Sequence, residues 1–174
     1  FWTPMRHGAA LERAQVPVLL IGGWLDLFLA QTVEQYRRLA DRGVDVALTV
    51  GPWTHLDTAT RGLGLTSRET LDWLDEHLAG RGRRRRAAPV RVHVGGAGGT
   101  GGWRELPAWP PPTEPFELHL QPGGLLAPSP APADGEPSTY TFDPSSPTPT
   151  VGGPLLSGGG DVDDRRTDGR PDVL

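Results

Sequence analysis

A chain of 174 residues can form one good core or parts of two domains, and here the texture changes along its length, which favours the second. A formal charge of −4, with 17 basic side chains that are all arginine, gives no footprint for nucleic acid. The absence of cysteine excludes disulfide and thiolate chemistry, and no apolar run approaches the roughly 20 residues that span a bilayer. The chain opens at Phe1 without a methionine and stops at "RPDVL", which reads as a strand just beginning. An internal fragment is therefore expected, from a parent placed in the cytoplasm, with secretion left open because no N-terminal signal can be read.

"VPVLLIGG", residues 16–23, is a continuous apolar run closed by two glycines, as expected of a parallel strand buried on both faces in the middle of a sheet. The next segment places Leu29, Val33, Tyr36 and Ala40 at helical spacing and ends at Gly43, a C′ glycine. "VDVALTV", residues 44–50, is a second buried strand, completing a βαβ unit. A second helix follows in "TSRETLDWLDEHLAG", with a capping box from Thr66 to Glu69, an inward stripe of Leu71, Leu74 and Leu78, partly exposed Trp73 and His77, and a stop at Gly80. "RGRRRR", residues 81–86, reads as a solvated linker.

Beyond the linker, Gly, Pro, Ser and Thr dominate. "PVRVHV", "PFELHL" and "STYTFDP" alternate apolar and polar residues with turn formers between them, the pattern of an antiparallel sandwich. "GGAGGTGG", residues 95–102, lacks the Lys-Ser/Thr ending of a phosphate loop and reads as a flexible turn. The expected organisation is α/β over residues 1–84 and a β-sandwich over 85–174.

Chemistry in an open α/β sheet gathers on loops at the C-terminal ends of strands. The first strand ends "GGWLD" and offers Asp26; the second ends "GPWTH" and offers His55. Two parallel neighbours bring their loops to one sheet edge. There the carboxylate can fix the imidazole's tautomer while the other ring nitrogen takes a proton from a nucleophile. An acid that precedes the histidine along the chain is also the order of an α/β-hydrolase triad. No G-x-S-x-G motif occurs, and Ser67 reads as part of a helix start, so the nucleophile is not assigned within the chain. Trp24 and Trp53 flank the pair and are read as pocket walls or as packing. His7 has no acidic or histidine partner at ligand spacing, His93 and His119 sit on outward strand positions that are more often solvated than ligating, and neither a metal site nor a cofactor is expected.

Taken in order, "VPVLLIGGWLDLF", "GPWTH", "RETLDWLDEHLAG", "PVRVHV", "GGWRELPAWPPP" and "YTFDPSSPTPTVGG" resemble the CocE/NonD hydrolases, a group with cocaine esterase-like and α-amino-acid ester hydrolase members that is related to X-Pro dipeptidyl-peptidases. The resemblance implies the C-terminal part of an α/β-hydrolase domain followed by the first part of a jelly-roll sandwich. It implies Asp26 as the acidic triad member, His55 as the general base and Phe28 as a residue lining the acyl pocket. It puts the serine, the oxyanion donors and a helical cap ahead of Phe1. Trp103 and Trp109 would pack the sandwich against the catalytic domain. The substrate is then a small ester, amide or peptide, with no nucleic-acid or membrane partner, and homo-oligomer formation is left open. The competing reading is a binding module whose sandwich recognises a peptide or glycan.

Overall fold

A computed structural model describes residues 8–80, 86–96, 101–133, 135–137, 139–158, 162–163 and 165–170. The elements are α1 (Gly8–Arg13), β1 (Val18–Gly23), α2 (Leu29–Asp41), β2 (Val46–Gly51), a 3₁₀ turn (Leu56–Ala59), α3 (Leu63–His77), β3 (Val90–Val94), β4 (Gly102–Leu106), β5 (His119–Gln121), β6 (Leu125–Ala127) and α4 (Arg165–Asp168). They fall into two compact units. The first runs to Pro111 and regains the chain at Gly153; the second comprises Pro112–Gly152 and described residues near the C-terminus.

The first unit is a mixed sheet in the order β1-β2-β3-β4, with β1, β2 and β3 parallel and β4 antiparallel to β3. The expected βαβ unit is present: β1 and β2 pair in register from Val18↔Val46 to Gly23↔Gly51. Side chains alternate across a strand. On one face Val46, Leu48, Val50, Val90 and Val92 pack with Tyr36 and Leu39 of α2 into the core. On the other, Thr49 meets Glu69 of α3, so the two helices cover opposite faces. The α2 helix ends as the sequence suggests: Gly43 takes φ 72°, and the Val44 N–H reaches back to Leu39 O at 3.1 Å.

Three expectations for this unit are corrected. Among the described residues β1 is an outermost strand, and its first four residues are only half-buried. Helices on both faces account for its apolar composition, which reports what covers a strand and not how many strands flank it. The segment "VRVHV", expected in a sandwich, is β3, which pairs in parallel with β2 and continues the same sheet. Finally, α3 begins at Leu63 after Gly62, three residues ahead of the expected capping box.

The buried residue of α3 is Glu69, while Leu71, Leu74 and Leu78 are 64, 42 and 79% exposed. Polar partners in the sheet decide this orientation. Glu69 Oε2 accepts from Thr49 Oγ1 at 2.5 Å and from Arg86 Nη1 at 2.8 Å, and its other oxygen pairs with Arg91, which also reaches Glu105 of β4 at 2.5 Å. Arg86, expected in a solvated linker, has a side chain 10% exposed and also donates to Leu48 O; the rest of that arginine run, residues 81–85, lies outside the described residues. Leu74 and Leu78 turn instead toward a groove of ≈ 830 Å³ beside β1, lined also by Val16, Leu19 and Ile21. Trp73 and His77 are half-buried as expected, with ring centroids 4.2 Å apart.

In the second unit β5 and β6 form an antiparallel hairpin across Gly123 and Gly124, both at positive φ. "PFELHL" is strand only at its end, and residues 139–143, expected to form a strand, are irregular, with Tyr140 54% and Phe142 60% exposed. Prolines stand only at the flanks of these segments, Pro115 before one and Pro137 and Pro144 around the other, and the period of two persists where, among the described residues, no strand is paired. His7 and residues 97–100 of the glycine run lie outside the described residues. Among the described residues no helix is long and apolar enough to cross a membrane.

Removing one member of a buried ion network leaves the others uncompensated. Glu69→Ala is expected to destabilise the first unit by about 3–5 kcal/mol, with Glu69→Gln losing less; denaturant unfolding measures both.

Candidate active site

The site is built on one register position. Gly23 and Gly51 are partners at the C-terminal ends of β1 and β2, so the next residues of both strands leave the sheet at the same level. The ladder extends a little further, with Trp24 N–H donating to Gly51 O at 2.9 Å and Leu25 N–H to Trp53 O at 3.1 Å. The chain then turns, and Asp26 N–H returns to Gly23 O at 3.1 Å. Glycine is required at both strand ends by Trp53. A β-carbon on Gly23 would lie 2.0 Å from Trp53 O, and one on Gly51 would lie 2.4 Å from the indole ring.

Asp26 and His55 meet as the sequence suggested. His55 Nδ1 lies 3.2 Å from each carboxylate oxygen of Asp26. With its proton on Nδ1 the imidazole donates to the carboxylate, and among the described residues Nε2 has no hydrogen-bond partner. Asp26 is buried at 6% exposure, and its Oδ1 also accepts from Phe28 N–H at 2.8 Å. This carboxylate is therefore held from two sides. The His55 side chain is 37% exposed, so the acid is enclosed and the base reaches outward.

Phe28 lies against this pair. Its ring meets His55 edge-on with centroids 5.0 Å apart and planes at 77°, and the residue is 48% exposed. The two tryptophans are engaged elsewhere. Trp24 donates Nε1–H to His93 O at 2.6 Å and packs on Trp109 at 5.5 Å; Trp53, 6% exposed, packs on Trp103 at 5.8 Å. Trp103 and Trp109 thus pack on aromatic residues of the first unit. The His93 ring also packs edge-on against Trp103, and Ser67 is an exposed residue of α3.

Two supports of the His55 loop escaped the sequence reading. Thr54 is fully buried, and both its Oγ1–H and its N–H donate to Asp57 Oδ2, at 2.8 and 3.3 Å. Thr58 Oγ1–H donates to His55 O at 2.7 Å, and Gly62 N–H to Asp57 O at 2.8 Å. The T-x-x-D spacing of Thr54 and Asp57 was the available signal, because such side chains bond nearby backbone amides. The second support is Leu155, which bonds to both loops and has no local signal at all.

A mixed α/β sheet with an acid and an imidazole at the C-terminal ends of adjacent parallel strands is consistent with part of an α/β-hydrolase. Residues 1–57, which include both groups, match the family described as X-Pro dipeptidyl-peptidase (S15 family). Cocaine esterase from Rhodococcus sp. (strain MB1 Bresler) is 30% identical over 199 aligned residues, covering 99% of this chain and 34% of the esterase. Together with the ordered motifs, these similarities support a CocE/NonD-like family for the chain, which spans about a third of the length of this curated relative.

Asp57 carries a pH signature. Hydrogen bonds from the Thr54 hydroxyl, and then from its backbone, hold the carboxyl below the usual aspartate range. A depressed folded-state value contributes stability above the unfolded value, and this contribution is lost as pH falls through the folded one. Asp57→Asn is therefore expected to make the acid-side decline in stability shallower than in the parent, as measured by unfolding midpoints across acidic pH.

Proposed function

We propose that this chain carries the acid and base of a serine hydrolase that cleaves small carboxylic esters or amides, of the acyl-esterase or dipeptidyl-peptidase type. One observation carries this reading: a buried carboxylate bonded to Nδ1 of a half-exposed imidazole at the C-terminal edge of a parallel sheet. In the proposed reaction a serine upstream of Phe1 attacks the carbonyl carbon while His55 Nε2 takes its proton. His55 then returns that proton to the leaving group, and water, deprotonated the same way, releases the acid. Asp26 holds the productive tautomer and stabilises the imidazolium. No cofactor is required.

Phe28 is the proposed substrate contact, because its exposed ring lies directly against His55. The contacts of Trp24 and Trp53 support packing for those two residues. We assign the Gly- and Pro-rich remainder after β4 to the start of a jelly-roll domain, on the strength of the sequence resemblance. Without an assigned serine or oxyanion donors, the chain by itself is expected to be inactive.

In the full-length protein, His55→Ala and Asp26→Ala are expected to lower turnover of a chromogenic acyl ester by about 10³- to 10⁴-fold while leaving the protein folded. Unchanged turnover in folded variants would sink the reading. An in-frame G-x-S-x-G in the DNA ahead of Phe1, and labelling of that serine by a fluorophosphonate, are the matching expectations. Absence of the motif would favour the binding-module alternative.

A further inference from the structure

The loops that carry Asp26 and His55 are joined directly by strand hydrogen bonds only as far as Leu25. Past that point, among the described residues, no backbone hydrogen bond runs from one loop to the other. Both bond instead to a third piece of chain that arrives from far downstream. Leu155 N–H donates to Leu25 O at 2.8 Å, while Leu155 O accepts from His55 N–H at 3.2 Å. Leu156 O accepts from Leu56 N–H at 2.9 Å, and Asp26 and Leu155 form a parallel bridge. One peptide segment thus donates to the acid's loop and accepts twice from the base's loop.

The approach to this segment is shaped for the role. Gly152 and Gly153 both take positive φ, 70° and 94°, a conformation that costs glycine little and other residues much. They bring the chain back into the first unit immediately before Pro154 and Leu155. The Leu155 side chain is only half-buried and Leu156 is 56% exposed, so backbone bonding accounts for the placement better than core packing does.

We propose that Leu155 is a positioning residue: through its own N–H and C=O it fixes the spacing of the Asp26 and His55 loops, and so the alignment of the carboxylate with the imidazole. The proposal rests on the reading of these two residues as acid and base. Small displacements at such a pair are costly, since a misplacement of about 1 Å can reduce a rate about 10²-fold.

The test uses the full-length protein. Leu155→Pro removes the N–H while keeping the carbonyl, and it is expected to lower kcat for an acyl ester about 10- to 100-fold with KM within about two-fold. Leu155→Ala, which keeps the amide, is expected to remain within about three-fold of the parent on the same scale. A folded Leu155→Pro variant with parental kcat would overturn the proposal, as would an Ala variant that loses as much as the Pro variant. Should Leu155→Pro fail to fold, amide hydrogen exchange in the parent decides: slow exchange at both Leu155 and His55 supports the clip, and exchange at unstructured-chain rates overturns it. If His55→Ala leaves turnover intact, the catalytic reading fails on its own evidence. Loss in His55→Ala without loss in Leu155→Pro removes only the clip.

Discussion

The site depends on the parallel register that sets Gly23 opposite Gly51. Because the two strands end at the same level, two short loops with independent sequences begin from a common origin, and the acid of one falls within hydrogen-bond reach of the imidazole of the other. A slip of one residue would reverse the faces of every side chain on the strand and break the core contacts of Val46, Leu48 and Val50. Burial of those side chains thus enforces the register that aligns the loops. Trp53 adds a steric condition. Its backbone and ring occupy the space that β-carbons on Gly23 and Gly51 would need, so both glycines are required for close packing in addition to any turn they make.

A second constraint is electrostatic and acts on the opposite face of the sheet. Glu69 takes partners from β2 and β3 and from Arg86 just before β3, and Arg91 extends the network to Glu105 of β4. A carboxylate at 5% exposure is tolerated only when paired and hydrogen-bonded, and these contacts meet that condition. The network also settles the rotation of α3. Turning the helix to bury its leucines would pull Glu69 from its three partners, leaving Arg86 without its carboxylate and Arg91 with Glu105 alone. The helix that follows the histidine is therefore fixed by polar bonds, and Leu74, with Leu78 just past its end, is left to line the groove beside β1.

Much of this was legible in the sequence where the determinants are local. The two strands, the helix between them, its glycine stop and the Asp26–His55 pair follow from apolar runs, helical spacing and the rule that places active groups at strand ends. The orientation of α3 was not, because a leucine stripe outweighs a single glutamate in any periodicity and the partners of that glutamate lie on other elements. Alternation in "VRVHV" correctly marked a strand and could not say which sheet it joins. Alternation in "STYTFDP" marked none, in a segment where proline and exposure prevail. Leu155 is the extreme case: its contribution is made by backbone atoms at a long sequence distance, which no side-chain pattern can encode.

The polarity of the Asp26–His55 pair follows from the unequal burial of its members. Asp26 is enclosed, and an enclosed carboxylate without a cation beside it must be stabilised by donors; it has Phe28 N–H on one side and the imidazole on the other. His55 in turn is open enough for Nε2 to meet another molecule, while its Nδ1 is committed inward. One nitrogen is thus held by the carboxylate and the other is available. A pair buried equally on both sides would have no such access. The difference in depth between the two members, set by the turn at Asp26 and by the 3₁₀ turn that follows His55, leaves the imidazole directed outward.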